Sequence, residues 1–239
     1  MLKLRIPATS ANIGPGFDSI GLAVGLYNYV TLEEYDGLAI ESLDGKEIPT
    51  DETNLVYTTA KRLYELCGVP FRGLKIGQIN NIPLTRGLGS SSACVIAGLK
   101  GANRLMGNPV SDDELLNLAA GIEGHPDNST PALTGGLVTA VFDGKKVWYV
   151  KQEIKNDLRF VAIIPDFELS TAKARGVLPD TVPRRDGVFN LSRAALMSVS
   201  LYSGNYHNLR ARQSRICVSS SPPSSRRTTA CTSPTAWGS

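Results

Sequence analysis

The chain has 239 residues, of which 42% are hydrophobic and 20% are charged, an ordinary composition for a globular protein. The formal net charge is +3, but residues 211–239 hold four Arg and no acidic residue, so the preceding part carries 3 − 4 = −1. A near-neutral body argues against a nucleic-acid surface, and no apolar run reaches the roughly 18 residues of a membrane span.

The N-terminal residues predict a strand followed by a shaped loop. Leu2, Leu4 and Ile6 alternate with charged residues, as in a half-buried strand, and Pro7 is expected to end it. The loop 7–18, PATSANIGPGFD, contains two Gly and two Pro among small polar residues. A plain connector is one interpretation, but a long loop with this punctuation often carries function.

Four further elements are predicted before residue 80. They are strands over 19–34, 38–43 and 74–79 and an amphipathic helix over 53–66. Gly21 and Gly25 predict bends or bulges in the first of these strands. Residues 38–43 are expected to pair with that strand.

The stretch from Pro83 to Ala93, PLTRGLGSSSA, lies where a strand leads into a helix predicted to end near Met106. Gly87 and Gly89 have no Cβ, so the backbone can approach a ligand closely. The free N–H groups and the dipole of the first helical turn favour an anion, and the following serine hydroxyls can bind phosphate or a metal. A capping turn is the alternative interpretation for an isolated Gly-Leu-Gly-Ser.

Other glycine-rich motifs fit this loop less well. A Walker A loop needs Lys, a dinucleotide fingerprint needs Gly where Ser92 stands, and a nucleophile elbow needs Gly after the serines. Over its whole length the loop resembles the ATP-binding motif of the GHMP small-molecule kinases, which include galactokinases, homoserine kinases, mevalonate kinases and phosphomevalonate kinases. The resemblance implies that ATP is bound by Pro83, Leu84, Thr85, Arg86, Gly87, Leu88, Gly89, Ser90, Ser91, Ser92 and Ala93.

A second motif follows a helix that opens with a capping box at residues 111–114. The segment 121–128, GIEGHPDN, could be a solvated turn, and composition alone favours that interpretation. Together with PALTGG at 131–136, however, it resembles homoserine kinases within the GHMP family. The resemblance implies catalytic roles for Glu123, Asp127 and Asn128, a substrate contact from His125, and a magnesium site formed by Glu123 with Ser91 or Ser92.

Two more segments carry the resemblance to the substrate site of homoserine kinases. The loop 7–18 resembles their first motif, which implies that Asn12 and Asp18 hold the amino-acid substrate. The segment 170–175 resembles the one whose Arg binds the substrate carboxylate, which here is Arg175; an ordinary surface Arg is the alternative. Asp18 would take the ammonium group and Arg175 the carboxylate, both by charge-assisted contacts. No general base is assigned, although Asp127 and His125 are candidates by their chemistry.

The remaining sequence predicts a hairpin, a second domain and a different tail. Asp143-Gly144 predicts a turn between strands over 138–142 and 145–150. Residues 159–165 are typical of a buried strand that opens a second domain, and residues 189–202 of an amphipathic helix. The tail from about residue 211 is rich in Ser, Thr, Arg and Pro without apolar periodicity. It is expected to be disordered or frame-shifted and lacks a third Gly-rich motif that the resemblance implies.

The sequence is therefore interpreted as an α+β protein with the GHMP kinase fold. The expected domains are an N-terminal ATP-binding domain like domain 2 of ribosomal protein S5 (1–155), an incomplete ferredoxin-like domain (156–209) and the tail (210–239). The resemblance implies Mg²⁺-dependent transfer of phosphate from ATP to L-homoserine in threonine biosynthesis, impaired if the missing motif is needed. Alternatives are a non-catalytic nucleotide-binding protein, a kinase for another alcohol such as mevalonate, or nucleic-acid binding.

The expected setting follows from the cysteines and the N-terminus. Four widely spaced Cys residues without a Cys-x-x-Cys pair indicate neither a disulfide framework nor a zinc site, and the N-terminus lacks the apolar core of a signal peptide. A cytoplasmic location is expected. The expected partners are L-homoserine and ATP, without nucleic acid or membrane, and a homodimer is one expected assembly.

Overall fold

The computed structural model describes residues 1–153, 158, 160–161 and 174–212. The strands are β1 (Leu2–Ala11), β2 (Ile20–Glu34), β3 (Gly37–Ser42), β4 (Gly73–Ile79), β5 (Leu137–Phe142) and β6 (Val147–Gln152). The helices are α1 (Leu55–Leu66), α2 (Ser90–Leu105), α3 (Asp112–Glu123), α4 (Ser129–Thr134) and α5 (Arg184–Ser203), followed by a 3₁₀ helix (Tyr206–Arg212). Within these described ranges, no helix combines the length and the apolar character needed to span a membrane.

The six strands form one sheet in the order β3-β4-β2-β5-β6, with β1 paired to β2. All pairs are antiparallel except β3 with β4, which are parallel. The expectation that residues 38–43 pair with the long strand β2 is therefore wrong. Parallel neighbours need a long crossover connection, and α1 supplies it between β3 and β4.

The first strand is longer than predicted. It continues through Pro7 to Ala11, so the loop predicted over 7–18 is reduced to residues 12–19. Pro7 lacks an N–H group for the ladder, and the register changes directly after it, since Pro7 pairs with Tyr27 and Ala8 with Val24. The two skipped residues of β2 form a bulge that includes Gly25, which confirms the irregularity predicted there.

The main core lies between the sheet and the helices α1, α2 and α3. Its side chains include Leu32, Leu63, Ile96, Leu99 and Leu115, each at most 1% exposed. The capping box predicted at residues 111–114 is present at the start of α3.

Helices pack on both faces of the sheet at β5, whose side chains alternate between the two faces. Val138 packs with Leu116 of α3, whereas its neighbour Leu137 packs with Met197 and Leu201 of α5. Because successive side chains of a strand point to opposite faces, α3 and α5 lie on opposite sides of the sheet.

The outcomes differ among the remaining predicted segments. The hairpin around residues 143–144 is confirmed by the pairing of β5 with β6. The last helix begins at Arg184, directly after Pro183, rather than at residue 189. The strand predicted over 159–165 lies outside the described residues except for 160–161, and so does the tail beyond residue 212. The division into domains at residue 155 stays a prediction.

Gly98 of α2 marks the closest approach of α1 and α2. A Cβ on this residue would lie 2.0 Å from Thr59 Oγ1 and 2.4 Å from the Val56 carbonyl oxygen, both in α1. No side chain larger than glycine can occupy this crossing without moving one of the helices.

We expect Gly98→Ala to lower the free energy of unfolding by about 1–3 kcal/mol, because the added methyl group forces α1 and α2 apart. The matched control is Gly121→Ala in α3, where a Cβ would meet no heavy atom within 4 Å. That control should raise the free energy of unfolding by about 0.5–1 kcal/mol, since alanine favours a helix more than glycine does. Urea denaturation measures both values, and an equal effect of the two substitutions would contradict this packing.

Candidate active site

The glycine-rich loop leads into the N-terminus of α2. Gly89 is the residue before the helix, has φ +66° and provides no side chain to cap the first turn. Thr85 and Gly87 also have left-handed backbone angles, with φ of +53° and +71°. The loop is thus tightly curled, and no side chain caps the first turn of α2, so its N–H groups remain available, as a site for an anion requires.

The three serines at the start of α2 have different surroundings. Ser91 is exposed, whereas Ser90 and Ser92 are buried. The Ser90 hydroxyl has no hydrogen-bond partner among the described residues. The Ser92 Oγ lies 2.6 Å and 2.7 Å from the two carboxylate oxygens of Glu123 at the end of α3. The structure therefore brings together Ser92 and Glu123, two of the residues predicted to bind the metal.

Glu123 is a carboxyl group in a poorly solvated position. The residue as a whole is only partly buried, but its carboxyl group is surrounded by protein atoms. This burial raises the pKa of Glu123. The nearby charge of Asp127 raises the pKa further, whereas the Ser92 hydrogen bond and the positive charge of His125 lower it. When ionisation of a carboxyl group is costly, a neighbouring cation stabilises the ionised form.

The segment after α3 turns sharply and carries three candidate side chains. Gly124 ends the helix with φ +83°. His125 Nδ1 lies 2.7 Å from Asp127 Oδ1, and Asp127 is only 1% exposed. The hydrogen bond to Asp127 raises the pKa of His125 despite the opposing effect of burial. Asp127 thus orients the imidazole ring and stabilises its protonated form.

The next residue, Asn128, contacts the first strand. Its side-chain oxygen accepts a hydrogen bond of 2.8 Å from Thr9 Oγ1, and Thr9 is fully buried in β1. The Thr9 backbone N–H donates to the Leu88 carbonyl oxygen of the glycine-rich loop at 3.0 Å. Thr9 was not among the residues predicted for the site, because nothing in its local sequence pattern distinguishes it from other small polar residues.

The loop 12–19 presents Asp18 to Arg175. The guanidinium group contacts both carboxylate oxygens, with Nη2–Oδ1 at 2.5 Å and Nη1–Oδ2 at 3.1 Å, and lies 5.2 Å from the centre of the Phe17 ring. The Asn12 side-chain oxygen accepts a 3.0 Å hydrogen bond from the Asp18 N–H, which helps to shape the loop. The two residues predicted for opposite ends of a substrate therefore pair with each other.

These segments meet in one region of the molecule. Ligand atoms of Asp18, His125 and Asp127 all lie within 4.8 Å of one another. None of these three residues lines a cavity of about 170 Å³ that is formed by Gly14, Pro15, Phe17, Leu178, Pro179, Val182 and Asn190. A larger cavity of about 490 Å³ lies along β1 and the C-terminal half of α2, but none of the predicted site residues lines it. The position of the site is therefore assigned from its converging polar side chains, not from cavity size.

Gly21 of β2 packs directly against the backbone of the segment 125–128. A Cβ on Gly21 would lie 1.8 Å from the Asp127 carbonyl oxygen, so the backbone of this segment rests directly on the strand. The irregularity predicted at Gly21 is a close backbone approach rather than a bulge, since its pairing with Ala11 is continuous with the neighbouring pairs.

We expect Gly21→Ala to push residues 125–128 away from the sheet and to lower the free energy of unfolding by about 1–3 kcal/mol. Gly25→Ala in the same strand is the matched control, because a Cβ there would have no heavy atom within 4 Å. The control should change stability by no more than about 0.5 kcal/mol. Thermal or urea unfolding compares the two, and a neutral Gly21→Ala would contradict this contact.

Comparison with known proteins identifies the family. Residues 54–136 match the model of the GHMP kinase N-terminal domain. The homoserine kinase of Clostridium beijerinckii is 48% identical over 212 residues, which cover 88% of this chain and 70% of the relative.

Solved structures give the same family and the same fold. The homoserine kinase of Cytophaga hutchinsonii superposes with a TM-score of 0.74 at 29% identity, covering 90% of this chain and 72% of that chain. The mevalonate kinase of Methanococcus jannaschii shares the fold alone, with a TM-score of 0.59 at 16% identity over 87% of this chain and 78% of that one. With a relative 48% identical over 70% of that relative's length, this chain belongs to the homoserine kinase family of the GHMP kinases.

Proposed function

We propose that the chain transfers the γ-phosphoryl group of ATP to the hydroxyl group of L-homoserine, giving O-phospho-L-homoserine and ADP. The observation that carries the proposal is the meeting of three features in one region. These are a helix N-terminus without a side-chain cap, a buried carboxyl group beside a serine hydroxyl, and an acid–base pair suited to the two ends of an amino acid.

ATP would place its phosphates on the glycine-rich loop, residues 83–93. The curled backbone around Gly87 and Gly89 and the uncapped first turn of α2 provide N–H donors and a positive dipole for phosphate oxygens. The unpartnered Ser90 hydroxyl adds a buried group that can donate to an anion. Phosphoryl transfer depends mainly on such positioning and charge stabilisation.

Mg²⁺ would be held by Glu123 with Ser92, and Ser91 lies one residue away. Both groups offer oxygen ligands, which Mg²⁺ prefers, and the raised pKa of the Glu123 carboxyl group fits a position that a cation would stabilise. The ion would supply charge neutralisation for the transferring phosphoryl group. His125 offers a nitrogen atom that is already held by Asp127, so the cluster formed with Asp18 is a less suitable magnesium site.

Binding of L-homoserine would replace the Asp18–Arg175 ion pair by two ion pairs between the substrate and the protein. Its ammonium group would bind to Asp18 and its carboxylate to Arg175, whose side chains are 32% and 38% exposed and hence accessible. Asn12 would contribute by holding the Asp18 backbone, and a ring nitrogen of His125 lies within 4.8 Å of an Asp18 carboxylate oxygen. Mevalonate has no ammonium group for Asp18, which argues against that alternative substrate.

The residues at the centre would orient the reacting groups. Asn128 belongs to the segment that carries His125 and lies beside Gly89 of the glycine-rich loop, where a side-chain amide can donate to phosphoryl oxygens. Asp127 is buried and engaged with His125, so it acts through the imidazole ring rather than directly. We assign no general base, since orientation and charge stabilisation account for the role of each group.

A substrate panel tests the proposal. With ATP, the chain should release ADP with homoserine and far less with 4-hydroxybutyrate, which lacks the ammonium group, or 3-aminopropan-1-ol, which lacks the carboxylate. Asp18→Asn should raise the KM for homoserine about 30-fold, as expected if losing one charge partner costs about 2 kcal/mol. The same substitution should lower the KM for 4-hydroxybutyrate, because no charge is then left unpaired when the carboxylate of this compound binds to Arg175.

Asp36→Asn is the control for Asp18→Asn, because Asp36 is exposed and lies outside the site. It should leave the kinetics with homoserine, 4-hydroxybutyrate and 3-aminopropan-1-ol unchanged. A preference for mevalonate over homoserine, or an equal effect of Asp18→Asn on homoserine and 4-hydroxybutyrate, would refute the substrate assignment. Nucleotide binding without ADP release on any alcohol would favour the non-catalytic alternative.

Removal of the Glu123 charge tests the metal site. Glu123→Gln keeps the shape of the side chain and should weaken Mg²⁺ affinity at least about tenfold, since even indirect supports of metal ligands cost that much. Titration with Mn²⁺ by electron paramagnetic resonance in the presence of a non-hydrolysable ATP analogue measures the affinity independently of turnover. The control Glu65→Gln changes an exposed residue of α1 and should have no effect. Unchanged Mn²⁺ affinity in Glu123→Gln would exclude this ligand.

A further inference from the structure

We propose that Thr9 is a positioning residue for the phosphoryl-transfer step, acting through the side-chain amide of Asn128; this rests on the proposed function. Thr9 is 0% exposed, and its Oγ1 donates to Asn128 Oδ1 at 2.8 Å. Its backbone N–H binds the carbonyl oxygen of Leu88 at 3.0 Å. One residue of β1 therefore connects the glycine-rich loop with the segment that carries the polar site residues.

The hydrogen bond decides which end of the Asn128 amide faces the site. A side-chain amide has one oxygen that accepts and one NH₂ group that donates. Because Thr9 occupies the oxygen, the NH₂ group is turned away from Thr9. Phosphoryl oxygens and a developing alkoxide carry negative charge and can only accept, so they require that donor.

The opposite orientation of the amide is disfavoured by Thr9 itself. If the amide rotated by half a turn, its NH₂ group would face Thr9 Oγ1, and the hydroxyl hydrogen would lose the acceptor it has. The Thr9 oxygen could accept from that NH₂ group, but a buried hydroxyl hydrogen left without an acceptor is unfavourable. The hydroxyl group thus selects the orientation that presents a donor, and without it both orientations become accessible.

The pair also lies directly against the start of α2. A Cβ on Gly89 would lie 2.0 Å from Thr9 Oγ1 and 3.1 Å from Asn128 Oδ1. The space that a side chain would occupy at Gly89 is therefore filled by the Thr9 hydroxyl group and the Asn128 amide. This contact keeps Asn128 next to the first turn of α2, where the phosphates of ATP are proposed to bind.

The test compares Thr9→Val, which keeps the shape but removes the hydroxyl group, with Thr9→Ser, which keeps the hydroxyl group. Thr9→Val should lower kcat at least tenfold while the KM values for ATP and homoserine change less than threefold. Thr9→Ser should retain most of the parental kcat. Thr9→Ala, which adds no new steric contact, carries the same expectation as Thr9→Val if the valine variant does not fold.

A double-mutant cycle separates positioning from a general structural role. If Thr9 acts through Asn128, then Thr9→Val should cause no further loss of kcat in an Asn128→Ala background. Additive losses, an unchanged kcat in Thr9→Val, or a loss of thermal stability alone would overturn the inference. An equal loss of kcat in Thr9→Ser and Thr9→Val would also overturn the inference.

A readout without turnover distinguishes this inference from the proposed function. In ¹⁵N-labelled protein, the Asn128 side-chain NH₂ signals should shift on addition of a non-hydrolysable ATP analogue with Mg²⁺. The shift should persist in Thr9→Ser and be lost in Thr9→Val. If the parental chain fails to phosphorylate homoserine but shows this pattern, the substrate assignment falls while the role of Thr9 stands. An equal shift in Thr9→Val refutes that role.

Discussion

The position of α2 on the sheet is the constraint on which the rest of the site depends. The helix packs against α1 at Gly98 and against the Leu32 side chain of β2 at Gly101, where an added Cβ would lie 2.9 Å from Leu32. These approaches leave α2 little freedom to slide or rotate, because protein interiors are close-packed. Its N-terminus, and with it the glycine-rich loop, is therefore held at a defined place beside β1 and the end of α3.

The charges of the site follow from that arrangement. Asp18 is paired with Arg175, and Asp127 with His125, so these four groups neutralise one another in pairs. Glu123 is different, since its described partners are serine hydroxyl groups and its pKa is raised by burial. The site thus combines two exchangeable ion pairs with one carboxyl group that favours an added cation, which suits a zwitterionic substrate together with a metal-bound phosphate chain.

The Asp18–Arg175 pair also suggests how the site can select an amino acid. A ligand with both charges replaces one ion pair by two, whereas a ligand with a single charge leaves Asp18 or Arg175 without its partner. An unpaired charge in a half-buried position is costly, so the pair penalises incomplete ligands more than it attracts complete ones. This arrangement agrees with membership of a family whose relatives, at 48% identity, are homoserine kinases.

The local features could be predicted from the amino-acid sequence alone: the glycine-rich loop, the capping box at residues 111–114, the hairpin at 143–144 and the family. These depend on residues a few positions apart, for which turn and capping preferences are strong. Other features became visible only in the folded chain: the parallel pairing of β3 with β4, the continuation of β1 through Pro7, and the contact between Thr9 and Asn128, which are 119 residues apart. The fold likewise pairs Asp18 with Arg175 across 157 residues and buries the carboxyl group of Glu123. Such contacts depend on how distant segments pack together, and no local pattern of residue types specifies that.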